Sequence, residues 1–163
     1  MSVRIAGRSI VFIAALAVCI CTIACATPTA QRVDATDDER DAFAYLTKFN
    51  QEFYSQKDST AVIRYFAPDA KIFRRAGDNI KEYGPIGFEK VMVAQFSGIP
   101  KKGTFFTNIS KLKSTDDRVE AVLEIHFTFW RNNHTQRFVS LKKIDQQWKI
   151  VRFSYDEYTS GKE

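Results

Sequence analysis

The side chains able to do acid–base or nucleophilic chemistry are few and scattered. The chain has two histidines, His126 and His134, and an imidazole is the side chain best suited to moving a proton near neutral pH. Among the carboxylates, Glu52 precedes Phe53 and Tyr54, and Asp156 follows Tyr155. Either would serve as a base if buried against apolar walls, because burial raises a carboxyl pKa; an exposed acid in an ion pair is the plainer reading of both. Asp69, Asp78, Asp116, Asp117 and Asp145 fall at helix ends or in turn-forming stretches. Tyr45, Tyr54 and Tyr155 can donate a hydrogen bond to a ligand carbonyl. All three cysteines, Cys19, Cys21 and Cys25, precede residue 27. The remaining chain therefore has no thiol nucleophile, no disulfide and no Cys-ligated metal. No nucleophile elbow, glycine-rich phosphate loop or metal-ligand spacing is legible, and neither a cofactor nor a metal is expected.

Where these groups point depends on the elements that carry them. Residues 118–131 alternate almost without error: Val119, Ala121, Leu123, Ile125, Phe127 and Phe129 share one face. A period of two makes this a strand with one buried side. His126 then faces away from the core with Glu124 and Thr128, while Val122 and Trp130 are apolar exceptions on that outer side. Arg131 to His134 reads as a tight turn, since Asn tolerates positive φ. Neither histidine is therefore expected in an interior pocket. Strands over 135–144 and 148–158 follow. The hairpin register is open, so the outward apolar partner of Val122 is either Phe138 or Val139.

Upstream, Thr36-Asp37-Asp38-Glu39 has the form of a capping box. Phe43, Leu46, Phe49 and Phe53 follow at helical spacing, predicting a helix over about 37–56 with an aromatic face. A short helix capped by Asp58 or Ser59 runs to Phe66 and is stopped by Pro68. A short strand over 70–74 and a polar turn region over 75–83 come next. A third helix begins at Pro85, buries Phe88, Val91, Met92, Gln95 and Phe96, and ends at Gly98. A strand over 104–114 leads into the run described above.

This order, with Phe66-Ala67-Pro68-Asp69-Ala70 after the second helix and Trp148-Lys149-Ile150 opening the last strand, resembles the NTF2-like (SnoaL-like, cystatin-like) superfamily over residues 37–158. The resemblance implies an α+β fold: three N-terminal helices packed on a strongly curved, mainly antiparallel sheet that forms a cone with a largely apolar pocket. In that cone Tyr45, Phe49, Phe53, Phe73, Phe96, Phe127, Phe129 and Tyr155 would line the pocket. It also implies dimerisation through the outer sheet face in many relatives. Enzymes and non-catalytic binders share the fold, so fold alone does not choose between them.

The N-terminus supplies an address. Arg4 and Arg8 precede an uncharged run from Ile10 to Ala24, short for a membrane span of about 20 residues and suited to a signal peptide. Ala24 and Ala26 fit cleavage before Thr27. Thr22-Ile23-Ala24-Cys25 instead resembles a bacterial lipobox, with Cys25 as the lipidated residue and Thr22 departing from the usual Leu. Residues 1–26 are thus expected to be a signal peptide, 27–36 a tether and 159–163 a disordered tail. Without Arg4 and Arg8 the charge is 22 basic against 19 acidic residues, too balanced to suggest nucleic acid. The expectation is an exported protein of the bacterial envelope, touching the membrane only through an N-terminal lipid or uncleaved anchor. Its domain is expected to bind a small hydrophobic ligand or a protein partner without catalysis. The alternative is an isomerase, dehydratase or cyclase using acid–base chemistry.

Overall fold

The computed structural model describes residues 35–129 and 134–156, the last of these for its backbone alone. The expected signal peptide, tether and tail, with Cys25 and Trp130, lie outside the described residues. The elements are α1 (Asp37–Asn50), a π-helical turn (Gln51–Ser55), α2 (Ala61–Tyr65), β1 (Phe66–Ala76), β2 (Asn79–Tyr83), α3 (Pro85–Ser97), β3 (Phe105–Thr115), β4 (Arg118–Phe127), β5 (His134–Ile144) and β6 (Gln147–Asp156). The fold is α+β, as expected.

The strands form a single curved sheet in the order β2-β1-β6-β5-β4-β3. β1 and β6 pair in parallel, and the other neighbours pair antiparallel. Irregularities in pairing fall between Phe66 and Lys71, Ile109 and Lys111, and Ser140 and Leu141. Such bulges bend a strand and increase its twist, which lets a sheet curl round a helix. At the last of them Ser140 and Leu141 are both buried, so the bulge locally breaks the alternation.

α1 starts where its sequence requires. Thr36 Oγ1 accepts from the Glu39 backbone N–H at 3.2 Å, and the Glu39 carboxylate accepts from the Thr36 N–H at 3.1 Å. Glu39 also accepts from the Ser114 N–H at 2.9 Å, so the cap ties the helix to β3. Lys143 donates to Asp38 at 2.6 Å, joining the same end to β5. Ala42, Leu46 and Phe49 then face the sheet with 0% exposure.

Two segments differ from the sequence expectation. The region over 75–83 contains β2, hairpinned to β1 across Gly77 at φ 60°. Its residues are exposed or half-buried, so this edge strand carries no apolar alternation to read. β1 begins at Phe66, not Ala70, and incorporates Pro68. That proline falls within the irregular stretch between Phe66 and Lys71, where the missing N–H costs no ladder bond.

Candidate functional site

The interior of the cone is packed with rings. Phe49 stacks on Phe53 at 5.1 Å and meets Phe66 and Phe153 edge-on at 5.8 and 6.3 Å. Tilted and edge-to-face pairs of this kind are the favoured aromatic geometry. The π-helical turn makes part of this possible. In a regular α-helix, residues four and five beyond Phe49 would point about 100° apart. One wider turn brings both inside, and Phe53 and Tyr54 are 1% and 4% exposed. π-turns inside helices recur at functional sites.

At one end the packing leaves a cavity of about 50 Å³. Its apolar wall includes Phe53, Phe88, Met92, Phe96, Phe105 and Phe127. Its polar wall is Tyr54, Gln95, Arg137 and Tyr155. Gln95, Phe96, Ile99, Phe105 and Arg137 are only half-buried, so this end of the cone meets solvent.

Arg137 is the unexpected member. It pairs with Leu123 on β4 and Tyr155 on β6, which places it in the inward row of β5 between Thr135 and Val139. Its guanidinium lies 4.8 Å from the centre of the Tyr155 ring. Nη1 donates to Thr135 Oγ1 at 2.6 Å and to the Gln136 carbonyl at 3.0 Å. Arg137 also attracts and hydrogen-bonds Tyr54, which only partly offsets the burial that pushes the Tyr54 hydroxyl above its ordinary pKa. Tyr54 is therefore neutral at physiological pH and can donate a hydrogen bond but not act as a base. The signal for Arg137 is a charged residue in an inward row, and it becomes readable only once the β4–β5 register is known.

Of the pocket residues expected from sequence, the structure brings Phe53, Phe96, Phe127 and Tyr155 together around the cavity. Phe49 lies behind them in the core. Phe129 packs on Phe105 and Phe127 at 5.2 and 5.6 Å, beside the cavity. Tyr45 belongs to a different cluster: its hydroxyl donates to the Tyr65 carbonyl at 2.8 Å, and burial raises its pKa. Phe73 lies on the other face of β1 from the fully buried Ile72, with the Arg152 guanidinium 5.0 Å from its ring centre. Here the sequence expectation is corrected: β1 alternates, and Ile72 takes the inward position.

The ionisable candidates are elsewhere. Glu52 accepts from Arg64 at 2.8 Å, and that bond holds its carboxyl below the usual range. This is the opposite of what a general base at neutral pH needs. Asp69, Asp78, Asp116 and Asp145 are exposed. Asp117 is exposed as well, and its bonds to Lys142 and Arg118 push it down to about 2. The Asp156 side chain lies outside the described residues. His126 is exposed on the outer face of β4, and His134 stands directly opposite it on β5. Among the described residues lining the cavity, none is a carboxylate or an imidazole.

No family model and no curated protein sequence matches the chain. Similarity appears in solved structures. An NTF2-like protein of unknown function from Pseudomonas putida has a TM-score of 0.61 at 12% identity, covering 78% of this chain and 92% of that one. One from Methylobacillus flagellatus has a TM-score of 0.60 at 21% identity, covering 78% and 98%. A domain of unknown function with a cystatin-like fold from Nostoc punctiforme has a TM-score of 0.60 at 9% identity, covering 78% and 82%. At these identities the likeness establishes the NTF2-like fold and carries no activity with it.

Proposed function

We propose that this domain is a non-catalytic binding module that takes a short apolar group with an acidic head into the open end of the cone. The observation that carries the reading is the composition of the cavity wall: aromatic rings and Met92 on one side, Arg137 with Gln95 and two tyrosines on the other. An arginine is always cationic and recognises carboxylates through directed N–H bonds. The size of the space limits the tail. About 50 Å³ is far below the roughly 300–1,000 Å³ of drug-sized sites. A chain of a few carbons, or the end of one apolar side chain from a partner protein, is what fits. Met92 can widen the space, because an unbranched thioether repacks at low cost. The acid–base alternative would need a proton acceptor in this wall, and the described lining residues include no carboxylate and no imidazole.

The N-terminal pattern supports placing this module in the bacterial envelope, either anchored through Cys25 or released by cleavage before Thr27. Native mass spectrometry of protein purified from its host tests both statements. A small carboxylate adduct, and a mature mass that begins at acylated Cys25 or at Thr27, are the expected results. Retention of residues 1–26 overturns both cleavage readings and leaves the uncleaved anchor. Protein that carries no adduct and gives no saturable response to added butanoate overturns the binding reading.

A second reading concerns the outer sheet face. Phe106 and Phe138 are 61% and 55% exposed, and Phe138 pairs with half-buried Val122. The register thus selects Phe138, with Val139 turned into the core. We infer that a second copy of the chain covers this face. A dimeric mass by light scattering at micromolar concentration is expected, and a monomeric mass contradicts it.

A further inference from the structure

The β4–β5 hairpin assembles three potential metal ligands on the outer face. His126 pairs directly with His134 across the two strands. Glu124 precedes His126 by two residues and so shares its face. The imidazole centroids are 4.5 Å apart, with their planes at 40°. One ligand atom from each of Glu124, His126 and His134 lies within 4.8 Å of the other two.

We propose that Glu124, His126 and His134 form a surface site for a divalent transition-metal ion of the zinc class. Zinc bonds to nitrogen and oxygen of about 2.0–2.2 Å place tetrahedral ligand atoms about 3.3 Å from one another. Closing the cluster to that spacing asks for rotamer changes of about 1 Å in half-buried or exposed side chains, which surface residues make readily. The donor set sets the class of ion. Two imidazoles and one carboxylate suit zinc, copper or nickel, whereas magnesium and calcium prefer oxygen-only shells. The directly paired neighbours do not oppose a cation: Glu124 faces Asn108 and Gln136, and His126 faces Phe106 and His134. Three protein ligands leave further coordination positions to water or to a group from another molecule. A bound ion would also join β4 to β5 next to their connection, linking metal binding to the stability of the hairpin.

His126 and His134 are the chain's two histidines, so imidazole NMR signals report on this cluster directly. The test uses the untagged full chain with its cysteines alkylated, titrated with zinc chloride near neutral pH. Both imidazole signals are expected to shift together and saturate at one ion per chain, with micromolar or tighter affinity. His126→Ala and His134→Ala should each weaken binding at least about tenfold, and Glu124→Gln severalfold, while melting of the metal-free variants stays close to that of the parent. Zinc binding that moves neither imidazole, or only one, overturns the site. So does binding that survives His126→Ala and His134→Ala together, or that is unchanged in Glu124→Gln.

Discussion

The two faces of β4 and β5 have opposite characters. Inward, Val119, Ala121, Leu123, Ile125 and Phe127 are at most 4% exposed. Outward, Glu120, His126 and Phe138 stand exposed, with Glu124 half-buried beside them. Among the described residues, the cavity wall holds rings, Gln95 and Arg137, while the carboxylates of Glu120 and Glu124 and both imidazoles lie on the outer side. Even the hollows differ. The interior cavity is about 50 Å³, while a depression on the outer face, lined by Arg118, Glu120, Phe138, Ser140, Arg152 and Ser154, is about 330 Å³ and mainly polar. Among the described residues, the cavity wall carries Gln95, Arg137 and two tyrosines beside its rings, the polar set on which the proposed binding of an acidic head rests.

The largest effect should come from removing an interior ring. Phe49→Ala leaves a void among Phe53, Tyr65, Phe66 and Phe153, and a loss of about 3–5 kcal/mol is expected in urea unfolding. The matching outer change, Phe106→Ala, should stay within about 0.5 kcal/mol at concentrations too low for self-association. Equal losses would erase the distinction between the faces.

Gly103→Ala is next. A Cβ there would stand 2.7 Å from the Ile99 side chain and 2.8 Å from the Phe129 ring. Overpacking of that kind costs about 1–3 kcal/mol. Because Ile99 lines the cavity, any ligand response should change along with the melting temperature; a variant as stable as the parent would show that this rim is loose.

Thr36→Ala should cost about 1 kcal/mol, since it removes the α1 cap. Glu39→Gln should cost a comparable amount, because the Thr36 and Ser114 N–H groups bond to different carboxylate oxygens and an amide keeps one acceptor oxygen, turning an NH2 donor toward the other N–H. Chemical denaturation of the pair measures both losses.

The smallest effect concerns the exposed Arg64 network, where Arg64 bonds Glu52 at 2.8 Å and Asp58 at 2.6 Å. Both carboxyls lie below their ordinary pKa, chiefly through Arg64. Their contribution is therefore present above the unfolded carboxylate pKa of about 4 and is lost as pH falls through the lower folded values. Arg64→Ala should cost up to about 1 kcal/mol at pH 7. The difference from the parent should shrink below about pH 4. A difference that held constant to pH 2 would mean that Arg64 acts by packing.

The parts of this architecture that sequence reveals are those where burial writes a period. The alternation of Val119 to Phe127 placed His126 outside the cone, and Thr36 with Glu39 marked the start of α1. Features without such a period stayed hidden. β2 is too exposed to alternate. The π-helical turn shifts Tyr54 inward by a backbone change that no residue type announces. The β4–β5 register depends on the connection, and two consequences follow from it at once: Arg137 turns into the cavity, and His134 comes to face His126. Each is unremarkable along the chain, and each becomes chemically meaningful only through its cross-strand neighbours.

Met92 offers the most direct test of the binding reading, because it lines the cavity and the chain's other methionine is Met1. With the methionine methyls labelled by carbon-13, the Met92 signal is followed while butanoate is added. The expected result is a saturable shift, about millimolar in affinity for so small a ligand, weakened about 10–100-fold by Arg137→Leu in line with the worth of a charged hydrogen bond. A Met92 signal that does not move, or that responds equally to butanoate with and without Arg137, would contradict a cone built to hold a short acid.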